Sequence, residues 1–452
     1  MYVTAKNIKR HGLDLSDITY VDAVTHGDIY RRCPVEQGDV LYIKDGVTTG
    51  LAAVNHIAEP FSLLSSVALL KPKHEVLRAE FLKHWLNSPS TVSMMTGNMT
   101  GSAIKRLVLK QIRSAEIPLP PVAEQQRIAD KLDAILARVD ACRDRLDRVG
   151  PLLQRFRQSV LAAAFTGRLT ETWRQTAALT PISETLSRVT IPPRPNRFSS
   201  RSDKVKPGAY ALALGKPDVE LPFDWQWTPL VDIARMESGH TPSRSHPEYW
   251  NGEVPWVSIP DARDGHGRTI TSTFQRTNEL GLANSAARLL PAGTVCLSRT
   301  ASVGYVTRMG VPMATSQDFA NWVCTDAINP DWLKFLLVAE KEAIIGFGQG
   351  STHTTVYYPE LMAFHVGLPP IEEQAEIVRR IDRLFALADL LKARAEKGLA
   401  SVSELPGATL AKAFRGELVP QDPNDEPAAA MLARLAARAS SQQASKPGRR
   451  TP

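Results

Sequence analysis

The sequence predicts an α+β protein, with two mixed α/β globular units separated by two long helices that pair as an antiparallel coiled coil. Three observations predict this. Residues 117–169 return without a gap as residues 366–418. Both copies carry apolar residues at heptad spacing, and the stretches preceding them hold short alternating apolar runs punctuated by Gly, Pro and Asn. A repeat with one copy in the middle and one near the end makes the chain two similar halves.

The repeats themselves read as helices. Each opens on Leu-Pro-Pro and then Glu-Gln, at Leu119-Pro120-Pro121 with Glu124-Gln125 and at Leu368-Pro369-Pro370 with Glu373-Gln374. Proline followed by an acid suits a helix start, where a missing N–H costs nothing and negative charge meets the macrodipole. Ile128, Leu132, Ile135, Val139, Cys142 and Leu146 follow at alternating spacings of four and three, matched in the second copy by Ile377, Ile381, Leu384, Ala388, Leu391 and Ala395. A single stripe of this kind could pack on its own domain. Two stripes in one register within duplicated halves predict that the helices pair, through Ile128, Leu132, Ile135, Val139 and Leu146 on one and Ile377, Ile381, Leu384 and Leu391 on the other. Gly150-Pro151 is expected to end the first helix, and Gly398 or Pro406-Gly407 to end or kink the second. A helix over residues 122–149 would run about 42 Å at ~1.5 Å per residue, near one turn of duplex DNA at ~34 Å.

The globular stretches come next. Residues 221–365 contain Val254-Pro255-Trp256-Val257 and Gly293-Thr294-Val295-Cys296-Leu297-Ser298, which read as strands, and a helix is expected around Asp331 to Leu337. Residues 1–116 echo them. Tyr2-Val3 corresponds to Trp256-Val257, Gly38-Asp39-Val40-Leu41 to the Gly293 run, and Phe81 to Leu86 to the Trp332 helix. Residues 170–220 are rich in Pro, Ser and Arg and read as a linker, and residues 420–452 as a polar tail with a short helix near Met431 to Arg438.

Composition narrows the class. A chain of 452 residues with 43% hydrophobic and 22% charged residues is long enough for at least two soluble domains. Its net charge of +7 favours a polyanionic partner such as nucleic acid. Cys33, Cys142, Cys296 and Cys324 lie far apart, without metal-ligand spacing, and read as reduced, buried thiols. Neither a signal peptide nor a run of 18 apolar residues occurs, so a cytoplasmic chain with no membrane role is expected.

Catalytic signatures are missing. The sequence has no phosphate-binding Gly-x-x-x-x-Gly-Lys-Ser/Thr loop, no His-Glu-x-x-His and no Gly-x-Ser-x-Gly elbow. It also lacks the Asn/Asp-Pro-Pro-Tyr/Phe motif with which an adenine methyltransferase grips a flipped base. Gly346-Phe347-Gly348-Gln349-Gly350 lacks a flanking Rossmann pattern and reads as a loop. A chain that is not an enzyme and binds no metal or cofactor of its own is predicted.

These residues resemble the DNA specificity subunits of type I restriction-modification systems. The likeness rests on the repeated Leu-Pro-Pro-x-x-Glu-Gln helices, on Ala413-Phe414-Arg415-Gly416-Glu417-Leu418-Val419-Pro420, and on Leu221-Pro222-x-x-Trp225-x-Trp227. It continues through Ser238-Gly239-x-Thr241-Pro242-Ser243-Arg244, Glu248-Tyr249-Trp250-x-Gly252, Pro255-Trp256-Val257, Leu290-Pro291-Ala292-Gly293-Thr294 and Thr315-x-Gln317-Asp318-Phe319. The resemblance implies a first target-recognition domain at 1–116, a conserved spacer helix region at 117–169, a linker at 170–220, a second recognition domain at 221–365, a second spacer region at 366–419 and a tail at 420–452. It implies that each recognition domain reads half of a bipartite, asymmetric target in double-stranded DNA. Two methyltransferase subunits would dock on the helices and restriction (translocase-nuclease) subunits would join them, with S-adenosylmethionine, ATP and Mg held by those partners. The first domain has no counterpart of residues 221–255 and is expected to be N-terminally incomplete, through a misassigned start or a truncation. The alternative is a degenerate subunit that acts as a coiled-coil scaffold for protein partners and reads no DNA sequence.

Base edges call for Arg, Lys, Gln or Asn, and phosphates for Arg, Lys, Ser or Thr. On that chemistry the predicted DNA contacts are Thr241, Arg244, Ser298, Arg299, Thr300, Gln317, Thr352 and Thr354 in the second domain. In the first they are Lys44, Thr48, Thr49, Ser102, Lys105 and Arg106. Trp250 and Trp256 are expected in the core rather than as stacking platforms.

Overall fold

A computed structural model describes residues 1–10, 12–97, 106–193, 210–349 and 354–444. It divides into two compact units, one of residues 1–149 and 394–452, the other of residues 150–393.

In the first unit, Val40–Ile43 is the central strand of an antiparallel sheet, flanked by Ala52–Val54 and Val67–Leu70. All four of its residues are buried, because helix Ala79–Leu86 and a second apolar cluster cover the sheet's two faces. Tyr2–Val3 pairs in parallel with Ser62–Leu63. The second unit repeats this plan. Trp256 and Val257 pair in parallel with Ala314 and Thr315, just as Tyr2 and Val3 pair with Ser62 and Leu63. Strands Val295–Ser298 and Val306–Met309 form the antiparallel hairpin that matches Val40–Ile43 and Ala52–Val54. Even the turn after the first strand is duplicated, with a Thr4–Asn7 capping box answered by Ser258–Asp261. The second unit adds an edge strand, Ala234–Ser238, paired antiparallel with Phe319–Cys324. Among the described residues, Val67–Leu70 pairs on one side only, with Val40–Ile43.

Helices pack against each sheet in an antiparallel sense. In the first unit, Ile128 and Leu132 of helix Val122–Asp147 cluster with Phe81, Leu410 and Ala413. Farther along, a Cβ built on Gly398 would sit 3.6 Å from Leu146 Cδ1. As numbers rise along the first helix from 128 to 146, the partner numbers fall from 410 to 398, so the pairing is antiparallel. In the second unit, Val160 and Leu161 of helix Val149–Phe165 cluster with Ile377 and Ile381. There Arg157 bonds Asp389 at 2.6 Å and stacks 4.8 Å from the Phe385 ring centre, while Arg380 reaches back to the Leu169 carbonyl at 2.7 Å.

Several expectations need correction. Within each unit the heptad residues have partners other than those expected: Ile128 and Leu132 cluster with Leu410 and Ala413 in the first, and Ile377 and Ile381 with Val160 and Leu161 in the second. Val139 is buried, Ile135, Leu146 and Leu384 are half-buried, and Leu391 stays 42% exposed. The first helix does break at Arg148, but Ile371–Phe414 runs on through Gly398 and Pro406 as one element of 44 residues. Residues 170–220, expected as linker, contain helices Glu171–Arg174 and Ile182–Ser187. They also hold strand Leu212–Leu214, which pairs in parallel with Phe364–Leu368. The tail helix is longer than expected, at Ala428–Ala444. All four cysteines are free, yet Cys296 alone is fully buried and Cys142 is exposed. Among the described residues, no helix is long and apolar enough to cross a membrane.

Candidate nucleic-acid interface

In the second unit the edge strand ends at Gly239, where a Cβ would lie 1.9 Å from the Ser316 carbonyl oxygen. Only glycine lets the chain cross Ser316 this closely. The crossing brings His240 N–H onto the Thr315 carbonyl at 2.9 Å and Thr241 Oγ1 onto Gln317 Oε1 at 2.5 Å. Three residues on, the Arg244 guanidinium lies 4.0 Å from the Trp250 ring centre and 5.2 Å from that of Trp256, and donates to Gln275 Oε1 at 2.8 Å. The two indoles meet edge to face at 5.1 Å, and Trp256 Nε1 donates to the His240 carbonyl, so they form the floor under the loop. Trp256 is buried, as expected of a core residue, whereas Trp250 is only half-buried and carries the Arg244 stack. Stacking and the Gln275 bond restrict an otherwise exposed arginine to few rotamers, the pre-organisation that a base-reading fork needs.

Thr241, Arg244 and Gln317 line one open cleft of about 650 Å³, together with Arg263, Phe274 and Gln275. Phe274 presents an apolar ring at its lip, 71% exposed. Two amides, two guanidiniums, a hydroxyl and a free aromatic ring are the groups that hydrogen-bond base edges and touch a thymine methyl. Sequence reasoning missed Arg263, Phe274 and Gln275. The signal for Gln275 was tertiary, because it sits opposite Trp256 in a strand pair that the primary sequence does not display.

The remaining predicted contacts have other placements. Ser298 is fully buried, where its Oγ donates to the Ser302 carbonyl and accepts from Tyr305 N–H. It is a hairpin tie, not a surface donor. Arg299 is half-buried against Tyr358 and donates to the Gln317 carbonyl at 3.3 Å, so it supports the cleft from behind. Thr300 Oγ1 bonds Thr355 Oγ1 at 2.7 Å, and Thr354 is half-buried against Gly348. Thr352 lies outside the described residues.

In the first unit, Thr48 and Thr49 line a cleft of about 480 Å³ with Lys9, Arg10 and Asn87. Thr48 is exposed, while Thr49 Oγ1 bonds the Gly46 carbonyl within the turn. Lys44 and Arg106 both face Asp45, at 2.7 and 3.8 Å, so much of their charge is already answered. Lys9 and Arg10 were not singled out in the sequence. Ser102 and Lys105 lie outside the described residues.

Each unit is fastened to its helix by the glutamine of the repeat's Glu-Gln pair. Gln125 Oε1 accepts from Arg78 N–H, and its Nε2 donates to the Val76 and Pro120 carbonyls, at 2.9–3.0 Å. Gln374 repeats all three bonds with Asn329 N–H and the Ala327 and Pro369 carbonyls. Both glutamines are fully buried. In the first unit Asp133 adds a second joint, accepting from Lys83 and from His84 Nε2 at 2.9 Å each. Desolvation would raise its pKa, but these two donors outweigh burial and hold it at about 2. Burial pulls His84 the other way, below its ordinary value. A neutral His84 donating from Nε2, with Lys83 supplying the cation, satisfies both groups.

The comparisons agree with this plan. The family described as "Type I restriction modification DNA specificity domain" matches residues 16–149 and 222–397. The chain is 27% identical over 406 residues to the EcoBI specificity subunit of Escherichia coli, covering 87% of this chain and 77% of that one. It is 24% identical over 419 residues to the EcoKI specificity subunit of E. coli K12, covering 93% and 82%. Its fold is that of the HsdS subunit from Thermoanaerobacter tengcongensis, with a TM-score of 0.58 at 20% identity over 92% of this chain and 90% of that one. The duplicated unit and the matched residues together establish that the chain belongs to the type I restriction modification DNA specificity domain family.

Proposed function

We propose that this chain is the DNA-reading subunit of a type I restriction-modification complex. Each unit reads one half of a bipartite, asymmetric target, the second through the Thr241–Arg244–Gln275–Gln317 cleft and the first through the Lys9–Arg10–Thr48 cleft. Two methyltransferase subunits dock on its helices and restriction subunits join them, in the cytoplasm. S-adenosylmethionine, ATP and Mg act on those partners, and this chain forms and breaks no bond itself. The observation that carries the reading is the duplication of a sheet and a glutamine clamp in two units of one chain.

The test is reconstitution with the cognate methyltransferase, followed by mapping of modified bases across a genome. A two-part motif is expected. Modified bases scattered without one would overturn the proposal and favour the scaffold alternative.

A further inference from the structure

Glutamine and arginine separate the two purines by opposite means. A glutamine reads adenine with both ends of its amide, the oxygen taking the N6 amino group and the nitrogen donating to N7, whereas an arginine reads guanine through donors aimed at O6 and N7. The cleft of the second unit holds two exposed glutamines and two exposed arginines. Its preference therefore depends on which end of each amide is left to face a base.

Both amide oxygens are turned toward donors of the cleft itself. Arg244 Nη2 donates to Gln275 Oε1 at 2.8 Å. A guanidinium has no acceptor, so the amide atom facing it is the oxygen, and Nε2 is the end left over. Thr241 Oγ1 donates to Gln317 Oε1 at 2.5 Å, which turns the second amide the same way. The backbone holds these pairs in place. Gln275 stands opposite Trp256, whose ring centre lies 5.2 Å from the Arg244 guanidinium, and Gln317 follows the Ser316 crossing that Gly239 permits. Asp318 is the one carboxylate lining the cleft among the described residues, and it is half-buried and accepts from Ser316 Oγ at 2.8 Å. An adenine amino group brought to either amide oxygen would meet a donor already in place. Guanine O6 and N7, both acceptors, would meet the Arg244 N–H groups and the Gln275 amide nitrogen.

We infer that the cleft of the second unit selects guanine and rejects adenine. Arg244 and Gln275 form a joint donor array for the O6–N7 edge, and Thr241 withholds Gln317 from the adenine-reading mode. The inference rests on the DNA-reading proposal and narrows it to one base edge.

The test uses the full chain assembled with its methyltransferase partner, and duplexes carrying the motif that genome mapping returns. Each guanine in turn is replaced by 7-deazaguanine, which keeps its pairing but has C–H in place of N7. At one guanine, competition binding should weaken roughly tenfold, and replacing that G·C pair by A·T should weaken it at least as much. Arg244→Met keeps an apolar stem over Trp250, removes the donors and releases the Gln275 oxygen. In this variant the same A·T replacement should no longer weaken binding, while the other half of the motif is read as before. Gln275→Leu should shift the guanine preference in the same direction, and circular dichroism checks the folding of both variants. A two-part motif without an N7-sensitive guanine, or an unchanged guanine preference in the folded variants, would overturn the inference and leave the DNA-reading proposal standing. The absence of any two-part motif would overturn both.

Discussion

The paired glutamates allow one substitution to be made twice with opposite expected outcomes. Glu373→Ala removes a carboxylate that accepts from Thr170, Arg174 and Trp225 and strands the Arg174 guanidinium, whose side chain is only 15% exposed. Breaking a buried pair from one side costs about 3–5 kcal/mol. Glu124→Ala removes a buried carboxylate that no group donates to among the described residues and that the nearby Arg127 charge favours, so it should leave stability within about 0.5 kcal/mol of the parent. A two-unit chain does not unfold in a single transition. Peptide-resolved hydrogen exchange at increasing urea therefore serves best, because it gives each unit its own opening free energy. The second unit should lose about 3–5 kcal/mol in Glu373→Ala while the first is unmoved by Glu124→Ala. Adding Arg174→Met to Glu373→Leu should recover most of the loss, since an apolar pair can replace a buried ionic one. Equal losses at both positions, or no recovery in the double variant, would refute the reasoning.

Other outcomes follow from the same contacts. Arg244→Ala should relax one half of the methylated motif and leave the other intact, with discrimination at the affected base falling by about 1–3 kcal/mol. A uniform loss across sequences in competition binding would make Arg244 a phosphate contact instead. Ile381→Ala should cost about 2–5 kcal/mol, whereas Leu391→Ala, on an exposed rung, should stay within about 0.5 kcal/mol; urea titration followed by tryptophan fluorescence separates them. Acid should loosen helix Ala79–Leu86 from helix Val122–Asp147. His84 has a lowered folded pKa, so its contribution is complete above the unfolded value near 6.5 and declines as the pH falls below it. Asp133, held at about 2, contributes fully above about 4 and loses that contribution only as the pH approaches 2. Exchange protection of Ala79–Leu86 should accordingly begin to fall below about pH 6.5. His84→Phe, which copies Phe335 at the matching position, should remove that first step, and an unchanged profile would disprove the assignment.

The architecture was legible because duplication reports itself. The alignment of Tyr2 with Trp256, made on little more than an aromatic before a valine, reappears as identical strand register in the two units. Heptad spacing located the helices but not their partners. Periodicity marks a face without saying which rung is covered, so Ile381 and Leu391 look alike in sequence and differ in the fold. Pro406 misled for a related reason. It removes one helix hydrogen bond, and the helix continues because Leu410 and Ala413 beyond it are anchored on Ile128 and Leu132. In the cleft, Thr241, Arg244 and Gln317 were readable as chemistry near a glycine turn. Ser298 was misread because a hydroxyl's type does not reveal which face of the strand it occupies. The Glu-Gln pair was explained by the helix macrodipole, which is a local cause. Its main work is tertiary and becomes visible only when residues 45–49 positions away are brought beside it.

The glutamine clamps hold nothing but main chain, namely an amide and two carbonyls in each unit. Every amino-acid sequence supplies those atoms. Side chains of the segments held this way can change without disturbing these six bonds, whereas the Lys83 and His84 bonds to Asp133 depend on their side chains. Change in the clefts is thus uncoupled from this main-chain part of the mount.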